Sequence, residues 1–352
     1  EGENPYDKKI WKDCFVDGKL EQATDYTQPW HVALPLFDLG VAYYYNMDLY
    51  EKLNLKIPET WNEFIHNCEV IEQDGTNPIA FMAQKKDAVV WFMWYLNTGL
   101  LGDAFLSDNN ININGDCAVS NNEIAAAISN GKIDLTTGRY KELQERFWDE
   151  VKKYAKYSQN ATGFDEAAAK SQLLTGKAAH LMSGSWDIQS FMENEENVRI
   201  GAFKLPLFTK ENSEYVCGNP VIGGVQSLTV TKSAEKDPAV KEAAIDFLQF
   251  MFSKEQYKIF VDSTKQIPTV KELDVDPIFE AFQGGSVPVD NILCLDSDKM
   301  AQTPTDAVMQ LLSGQDFDYA DMEKKLNENY KMWLEEYESD GKFTKENMDL
   351  TN

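Results

Sequence analysis

The chain has 352 residues, of which 43% are hydrophobic, and its 33 Lys and Arg against 58 Asp and Glu give a formal net charge of −25. This length predicts two domains or lobes rather than one core, and the composition is that of a globular chain. The negative field opposes binding to nucleic acid and to anionic lipid surfaces, so neither is expected as a partner.

The cysteine pattern and the apolar runs exclude further classes. The five cysteines lie far apart and form no Cys-x-x-Cys pair, which excludes a dense disulfide framework and the common zinc patterns. No apolar run approaches the ~20 residues that a membrane span requires. The polar start, Glu1 to Pro5, suggests the interior of a longer precursor, so that the signal and anchor are not present in this chain.

The first apolar stretch of the chain runs from 31 to 46 and is rich in β-branched and aromatic residues. Pro35 and Gly40 interrupt it, so the pattern predicts two short strands around a loop that carries Asp38. An acidic side chain in such a loop is a candidate partner for a ligand.

Two helices follow with clear local signals. Thr60 and Glu63 form a capping box, which predicts that a helix begins there. The stretch 88–101 is apolar nearly all round and predicts a central packed helix, on which Trp91 and Trp94 lie one turn apart. Core packing is the simplest role for both indoles and is favoured for Trp94.

The stretch 172–188 is where we expect the function of the chain to reside. A helix ends at Thr175-Gly176, and the apolar run 178–182 predicts a buried strand. The small residues Ser183-Gly184-Ser185 then lead to Trp186, which is expected in a loop. A strand that ends in a small-residue turn and an aromatic side chain can form one wall of a ligand site.

A later strand, predicted over 215–231, contains Gly223 and Gly224 followed by Gln226. Glycines inside a strand pattern indicate close approach of a neighbouring backbone or a ligand. The helix after it begins at Pro238 and is expected to be structural, because apolar residues recur on one face: Val240, Ala243, Ala244, Phe247, Leu248 and Met251.

The alternation of short apolar strands with helices predicts an α/β fold in which parallel strands are covered on both faces. Two such lobes would form a cleft, and ligands in this architecture bind at the carboxyl ends of strands, where the loop 183–187 is expected.

Enzyme chemistry finds little support in the sequence. The three histidines do not complete a nucleophilic triad, and Asp187 stands where a Gly-x-Ser-x-Gly elbow needs its last glycine. Neither a phosphate loop nor spaced metal ligands occur, so no catalytic residue, cofactor or metal is expected. A glycoside hydrolase with a Trp-lined cleft stays open as the alternative, because some of the 58 carboxylates must lie in pairs.

A sugar-binding cleft has simpler requirements. The C–H face of a sugar ring packs on an indole, and its hydroxyls need carboxylate and amide partners. Trp186, Trp91, Asp38 and the strand segment from Gly223 to Gln226 provide both kinds of group.

Five motifs occur in a recognisable order along the chain: Tyr44-Tyr45-Asn46 with Asp48-Leu49, Pro58-x-Thr60-Trp61-x-Glu63-Phe64, Asp74-Gly75-x-x-Pro78-Ile79, Thr175-Gly176-Lys177-Ala178-Ala179 with Met182-x-Gly184-Ser185-Trp186, and Gly223-Gly224 before Lys232-Ser233. Through these motifs the chain, over about residues 31 to 335, resembles the extracytoplasmic solute-binding proteins of carbohydrate ABC transporters, family 1, which are similar to maltose-binding protein.

The resemblance implies a two-lobed, periplasmic-binding-protein-like fold of type II. A receptor of this kind has no chemistry of its own, and it closes by a hinge around a mono- or oligosaccharide and delivers it to the permease subunits. By the family pattern, lobe 1 takes 1–44 and 226–285 and lobe 2 takes 45–225 and 286–352. Family members usually begin with a strand–helix–strand unit that this chain lacks, so lobe 1 is expected to be incomplete.

The resemblance also implies site roles and a location. Trp186 resembles the sugar-stacking tryptophan on lobe 2, and Trp91 falls where another aromatic lines the cleft. Gly223 and Gly224 resemble the hinge strand beside the ligand, with Gln226 nearby, and Asp38 is a candidate hydroxyl partner. The family is extracytoplasmic, either lipoprotein or periplasmic, and a monomer is expected.

Overall fold

A computed structural model describes residues 3–23, 33–112, 119–193, 197–218, 223–283 and 298–339. Within these ranges the α-helices, in chain order, are α1 (Lys19–Gln22), α2 (Met47–Leu53), α3 (Trp61–Gln73), α4 (Lys86–Leu106), α5 (Asn121–Ser129), α6 (Gly138–Lys156), α7 (Glu166–Leu174), α8 (Ile188–Met192), α9 (Pro238–Met251), α10 (Lys254–Thr264), α11 (Asp298–Leu312) and α12 (Tyr319–Ser339).

The strands are β1 (Leu34–Asn46), β2 (Asn77–Ile79), β3 (Ala178–Gly184), β4 (Ile200–Phe203), β5 (Gly223–Leu228) and β6 (Ile267–Pro268). Short 3₁₀ helices occur at Trp11–Cys14, Gln159–Gly163, Ser185–Asp187, Ala234–Lys236 and Pro277–Phe282. The predicted α/β class is therefore confirmed.

Strand β1 is continuous over 13 residues, so the prediction of two short strands around a loop is wrong. Pro35 lies at the start of the strand, where the register with β5 is irregular, and it does not end the strand. Gly40 is required for space rather than for a turn, because a Cβ there would lie 2.4 Å from the carbonyl oxygen of Phe282. Asp38 consequently lies within a strand.

The strand pairing is mixed. The first part of β1 pairs antiparallel with β5 and with β6, and its last part, from Tyr43 to Asn46, pairs antiparallel with β4. Strands β2 and β3 pair in parallel. The expectation of parallel strands is therefore confirmed for β2 with β3. It is wrong for β1 with β4, β5 and β6, which all run antiparallel to β1.

The chain divides into two compact units. The first comprises 1–41, 184–193 and 223–283, and the second comprises 42–183, 194–222 and 284–352. The segment Gly184–Glu193, including Trp186, thus groups with the first unit, whereas the resemblance had assigned it to lobe 2. The lobe boundaries themselves stay a prediction, and parts of both predicted lobes, such as 24–32 and 284–297, lie outside the described residues.

The core of the second unit is built around aromatic side chains. Thr60 and Glu63 form the expected capping box at the start of α3, and Trp61 is fully buried, as the helical spacing predicted. The Trp61 indole N–H donates to Glu150 Oε2 at 2.8 Å, which satisfies a polar group inside the core. Helix α4 is buried along most of its length, in agreement with its apolar sequence.

Helix α9 of the first unit begins at Pro238, as the sequence predicted. Its expected apolar face is largely exposed: Val240 is 50% and Phe247 57% accessible, and Leu248 is the buried residue of the helix. The sequence indicates an apolar stripe on a helix, but it cannot indicate whether another element covers that stripe. Among the described residues no helix is long and apolar enough to cross a membrane.

Candidate functional site

The Trp186 side chain stands at the end of a fully buried strand. All seven residues of β3 are buried, and Gly184 ends the strand. The predicted loop is a single 3₁₀ turn, Ser185–Asp187, in which Ser185 and Asp187 are buried and Trp186 is half-buried. Ser185 and Asp187 thus anchor the turn in the protein, whereas part of the Trp186 side chain is exposed to solvent.

The turn is attached to β1 by a hydrogen bond between a backbone N–H of the strand and a serine side chain of the turn. The N–H of Gly40 donates to Ser185 Oγ at 3.4 Å, and Gly40 is paired with Gly223 at the start of β5. The Trp186 turn, the middle of β1 and the start of β5 therefore meet within the first unit. Ser185 and Gly40 were not assigned to the site, and the Ser-Gly-Ser run before the tryptophan was the signal that could have indicated Ser185.

Asp38 is buried, with 6% of its surface exposed. Each of its two carboxylate oxygens contacts a group of the protein. Oδ1 accepts the Leu39 N–H at 3.2 Å, and Oδ2 forms an ion pair with Lys19 of α1. Burial raises the pKa of Asp38, and the Lys19 ammonium opposes this shift. The observed role is to join α1 to β1, and the role of Asp38 as a hydroxyl partner stays a prediction.

The two glycines of β5 differ in their surroundings. A Cβ at Gly223 would lie 2.0 Å from the Leu39 carbonyl oxygen, so the close approach inferred from the sequence is made by a neighbouring strand. A Cβ at Gly224 would meet no atom within 4 Å. Gly224 and Gln226 are exposed and therefore accessible to a ligand. Their role in ligand binding stays a prediction.

Trp91 lies near the start of α4, in the second unit. Its indole is half-buried, and the Lys85 ammonium lies 5.6 Å from the ring centroid, which is within cation–π distance. Trp94, for which core packing was favoured, is also half-buried. Trp91 and Trp186 therefore belong to different compact units, and a role for Trp91 in binding stays a prediction.

Two of the three histidines, His66 and His180, lie within the described residues, and His31 lies outside them. His180 is fully buried inside β3, as predicted, and His66 is exposed on α3. Within the described ranges no group of three or more His, Cys, Asp or Glu side chains could hold a metal ion.

Trp186 thus presents a partly exposed indole at the end of a buried strand, and its assignment to ligand binding stays a prediction. The chain belongs to the bacterial extracellular solute-binding proteins, because the model of that family matches residues 3–258.

Individual relatives agree with this assignment. The galactooligosaccharide-binding protein of Bacillus subtilis (strain 168) is 29% identical over 104 residues, which is 29% of this chain and 22% of that protein. The match thus spans less than a quarter of the length of that relative.

Solved structures share the fold. A putative binding protein, MsmE, of Bacillus subtilis subsp. subtilis str. 168, in an open conformation, aligns with a TM-score of 0.67 and 17% identity over 94% of this chain and 78% of its own. A sugar transporter from Bacillus licheniformis in complex with stachyose aligns with a TM-score of 0.62 and 17% identity over 92% of this chain and 79% of its own. The chain therefore has the solute-binding-protein fold.

Proposed function

We propose that this protein is the substrate-binding component of a carbohydrate ABC transporter, which captures a mono- or oligosaccharide and delivers it to the permease subunits. Membership of the solute-binding family supports the proposal, as do relatives described as binding galactooligosaccharides or stachyose. The observation that carries it is the partly exposed Trp186 indole between two buried residues, Ser185 and Asp187.

The chemistry of a sugar explains why this residue is central. An indole offers a flat apolar surface to the C–H face of a pyranose ring, while the hydroxyls require directional polar partners. We assign the stacking role to Trp186 and to Trp91. Gln226 and Asp38 are the proposed polar partners, and the Gly223-Gly224 segment borders the ligand.

Capture is proposed to occur by hinge closure of the two predicted lobes. Lobe 1 comprises 1–44 and 226–285, and lobe 2 comprises 45–225 and 286–352. A ligand shifts such an equilibrium only through its preference for the closed form. The protein is proposed to act outside the cytoplasm, as the family description states for its members, and to be a monomeric, lipid-anchored or periplasmic protein.

Glycoside hydrolysis is the alternative that the sequence left open. The galactooligosaccharide-binding protein and the sugar transporter named above are described as binding or transporting sugars, which favours a protein without catalytic residues, cofactor or metal. Incubation with chromogenic glycosides tests the alternative, and we expect saturable sugar binding without turnover. Release of the chromophore by the purified protein would favour the hydrolase.

Binding is tested by titration calorimetry and tryptophan fluorescence with stachyose and a panel of other mono- and oligosaccharides. A saccharide at 100 times its Kd is expected to raise the free energy of unfolding by about 2.7 kcal/mol. Trp186→Ala is expected to abolish the fluorescence response and to weaken binding at least about tenfold.

The matched control is Trp11→Ala, which removes another half-buried tryptophan of the first unit, on the 3₁₀ helix Trp11–Cys14. This variant should bind like the parent. Equal affinity of Trp186→Ala and the parent contradicts the site, and absence of binding to every saccharide contradicts the function.

A further inference from the structure

We infer that Gly184 is the positioning residue of the binding site: the absence of a side chain there lets the Trp186 indole fold back over the end of β3 in a fixed orientation. The inference rests on the proposed function, because it concerns the presentation of Trp186 to a saccharide.

The space above Gly184 is occupied by the tryptophan itself. A Cβ built on Gly184 would lie 2.1 Å from Cη2, 2.2 Å from Cζ3 and 2.3 Å from Cζ2 of Trp186. Folded proteins essentially never contain such contacts below 3.0 Å. These three atoms form the outer edge of the six-membered ring, so any side chain at position 184 must displace the ring that we assign to sugar stacking.

The backbone itself does not require glycine at this position. Gly184 has φ −91° and ψ 167°, an extended conformation that every residue adopts. Gly176, at the other end of β3, contrasts with it, because its φ of +70° lies in the left-handed region. The requirement at 184 is therefore steric and comes from the indole.

The backbone on both sides of the indole is held independently of this contact. Ser185 Oγ accepts the Gly40 N–H at 3.4 Å, and the Asp187 carbonyl accepts the Ser190 hydroxyl at 2.9 Å. Because these bonds do not involve the ring, a methyl group at 184 should move the indole and leave the turn in place. Loss of affinity without loss of stability is the expected signature.

The orientation of the ring is measured by ¹⁹F NMR of protein labelled with 5-fluorotryptophan. The chain contains eight tryptophans, and the Trp186 resonance is the one that disappears in Trp186→Phe. Gly184→Ala is expected to shift this resonance and leave the other seven. Gly163→Ala is the matched control, because a Cβ at Gly163 would meet no atom within 4 Å, and it should leave the spectrum unchanged.

The link to binding is measured with stachyose, or with the panel saccharide that binds most tightly. Gly184→Ala is expected to weaken binding about tenfold while the Tm stays at or slightly above that of the parent, since alanine restricts the unfolded chain. In the Trp186→Phe background, Gly184→Ala should cause no further loss, because a phenyl ring lacks the outer indole atoms.

The results separate the inference from the proposed function. An unchanged Trp186 resonance in Gly184→Ala overturns the steric contact. A shifted resonance with unchanged affinity overturns the positioning role, as does an equal loss of affinity in the Trp186→Phe background. If the parent binds no saccharide, the proposed function fails, and the role of Gly184 in presenting Trp186 to a sugar fails with it.

Discussion

Acid is expected to destabilise the second unit through one buried histidine. His180 lies in β3 with no exposed surface, and its Nδ1 lies 2.8 Å from the Pro78 carbonyl oxygen. A carbonyl only accepts, so Nδ1 carries the proton and Nε2 accepts the Tyr50 hydroxyl at 2.6 Å. The ring is therefore neutral and fully paired, and protonation would place a charge in the core.

Burial lowers the pKa of His180 from the ordinary 6.5 to about 4, and the bond to the Pro78 carbonyl opposes this shift only in part. The unfolded chain keeps the ordinary value, so unfolding takes up a proton below pH 6.5. The stabilisation is complete above that pH and is lost as the pH falls toward 4. The full loss is about 3 kcal/mol, of which about 2 kcal/mol has been lost at pH 5.

Urea unfolding at pH 7.5, 6 and 5 tests this, with His180→Gln as the neutral replacement. The parent is expected to lose about 2 kcal/mol more than His180→Gln between pH 7.5 and 5. His66→Gln removes an exposed histidine and should follow the parent.

NMR of the parent protein measures the protonation of the histidines directly, without a substitution at His180. In ¹³C-labelled histidine spectra of the parent, one of the three histidines should keep its neutral-ring shift down to pH 5.5. A His180 signal that titrates near pH 6 or above would refute the reasoning.

Two paired substitutions in the first unit test its packing by thermal or urea unfolding. On α9, Leu248→Ala should lower the free energy of unfolding by about 2–4 kcal/mol, because the residue is buried. Phe247→Ala should change it by no more than about 0.5 kcal/mol, because this side chain is exposed. A larger loss at Phe247 would show that its face is covered. On β5, Gly223→Ala should cost about 1–3 kcal/mol, because its Cβ meets the Leu39 carbonyl, and Gly224→Ala should be nearly neutral, since its Cβ has open space. Equal effects at the two glycines would contradict the observed register.

Local signals predicted many elements well. The capping box at Thr60 placed the start of α3, and the helical spacing placed Trp61 in the core. The apolar run before Trp186 predicted β3, and His180 was expected to be buried within it. These features depend on contacts between residues that are close in the chain, which a sequence displays directly.

Predictions that depended on distant neighbours were less accurate. Pro35 and Gly40 have the appearance of loop residues, yet both lie in β1, and Gly40 is small because Phe282 approaches it. Asp38 was predicted in a loop and lies in a strand beside Lys19. The apolar stripe of α9, a helix expected to be structural, is largely exposed.

By itself the sequence determined the α/β class, the positions of elements such as α3 and β3, and the family resemblance, and it predicted Trp186 as a ligand-binding residue. The tertiary structure alone decided what fills the space at each glycine: a strand carbonyl at Gly223, open space at Gly224, and the Trp186 ring at Gly184. The reason is physical, because capping and periodicity arise within a few residues, whereas free volume is defined by groups that folding brings together.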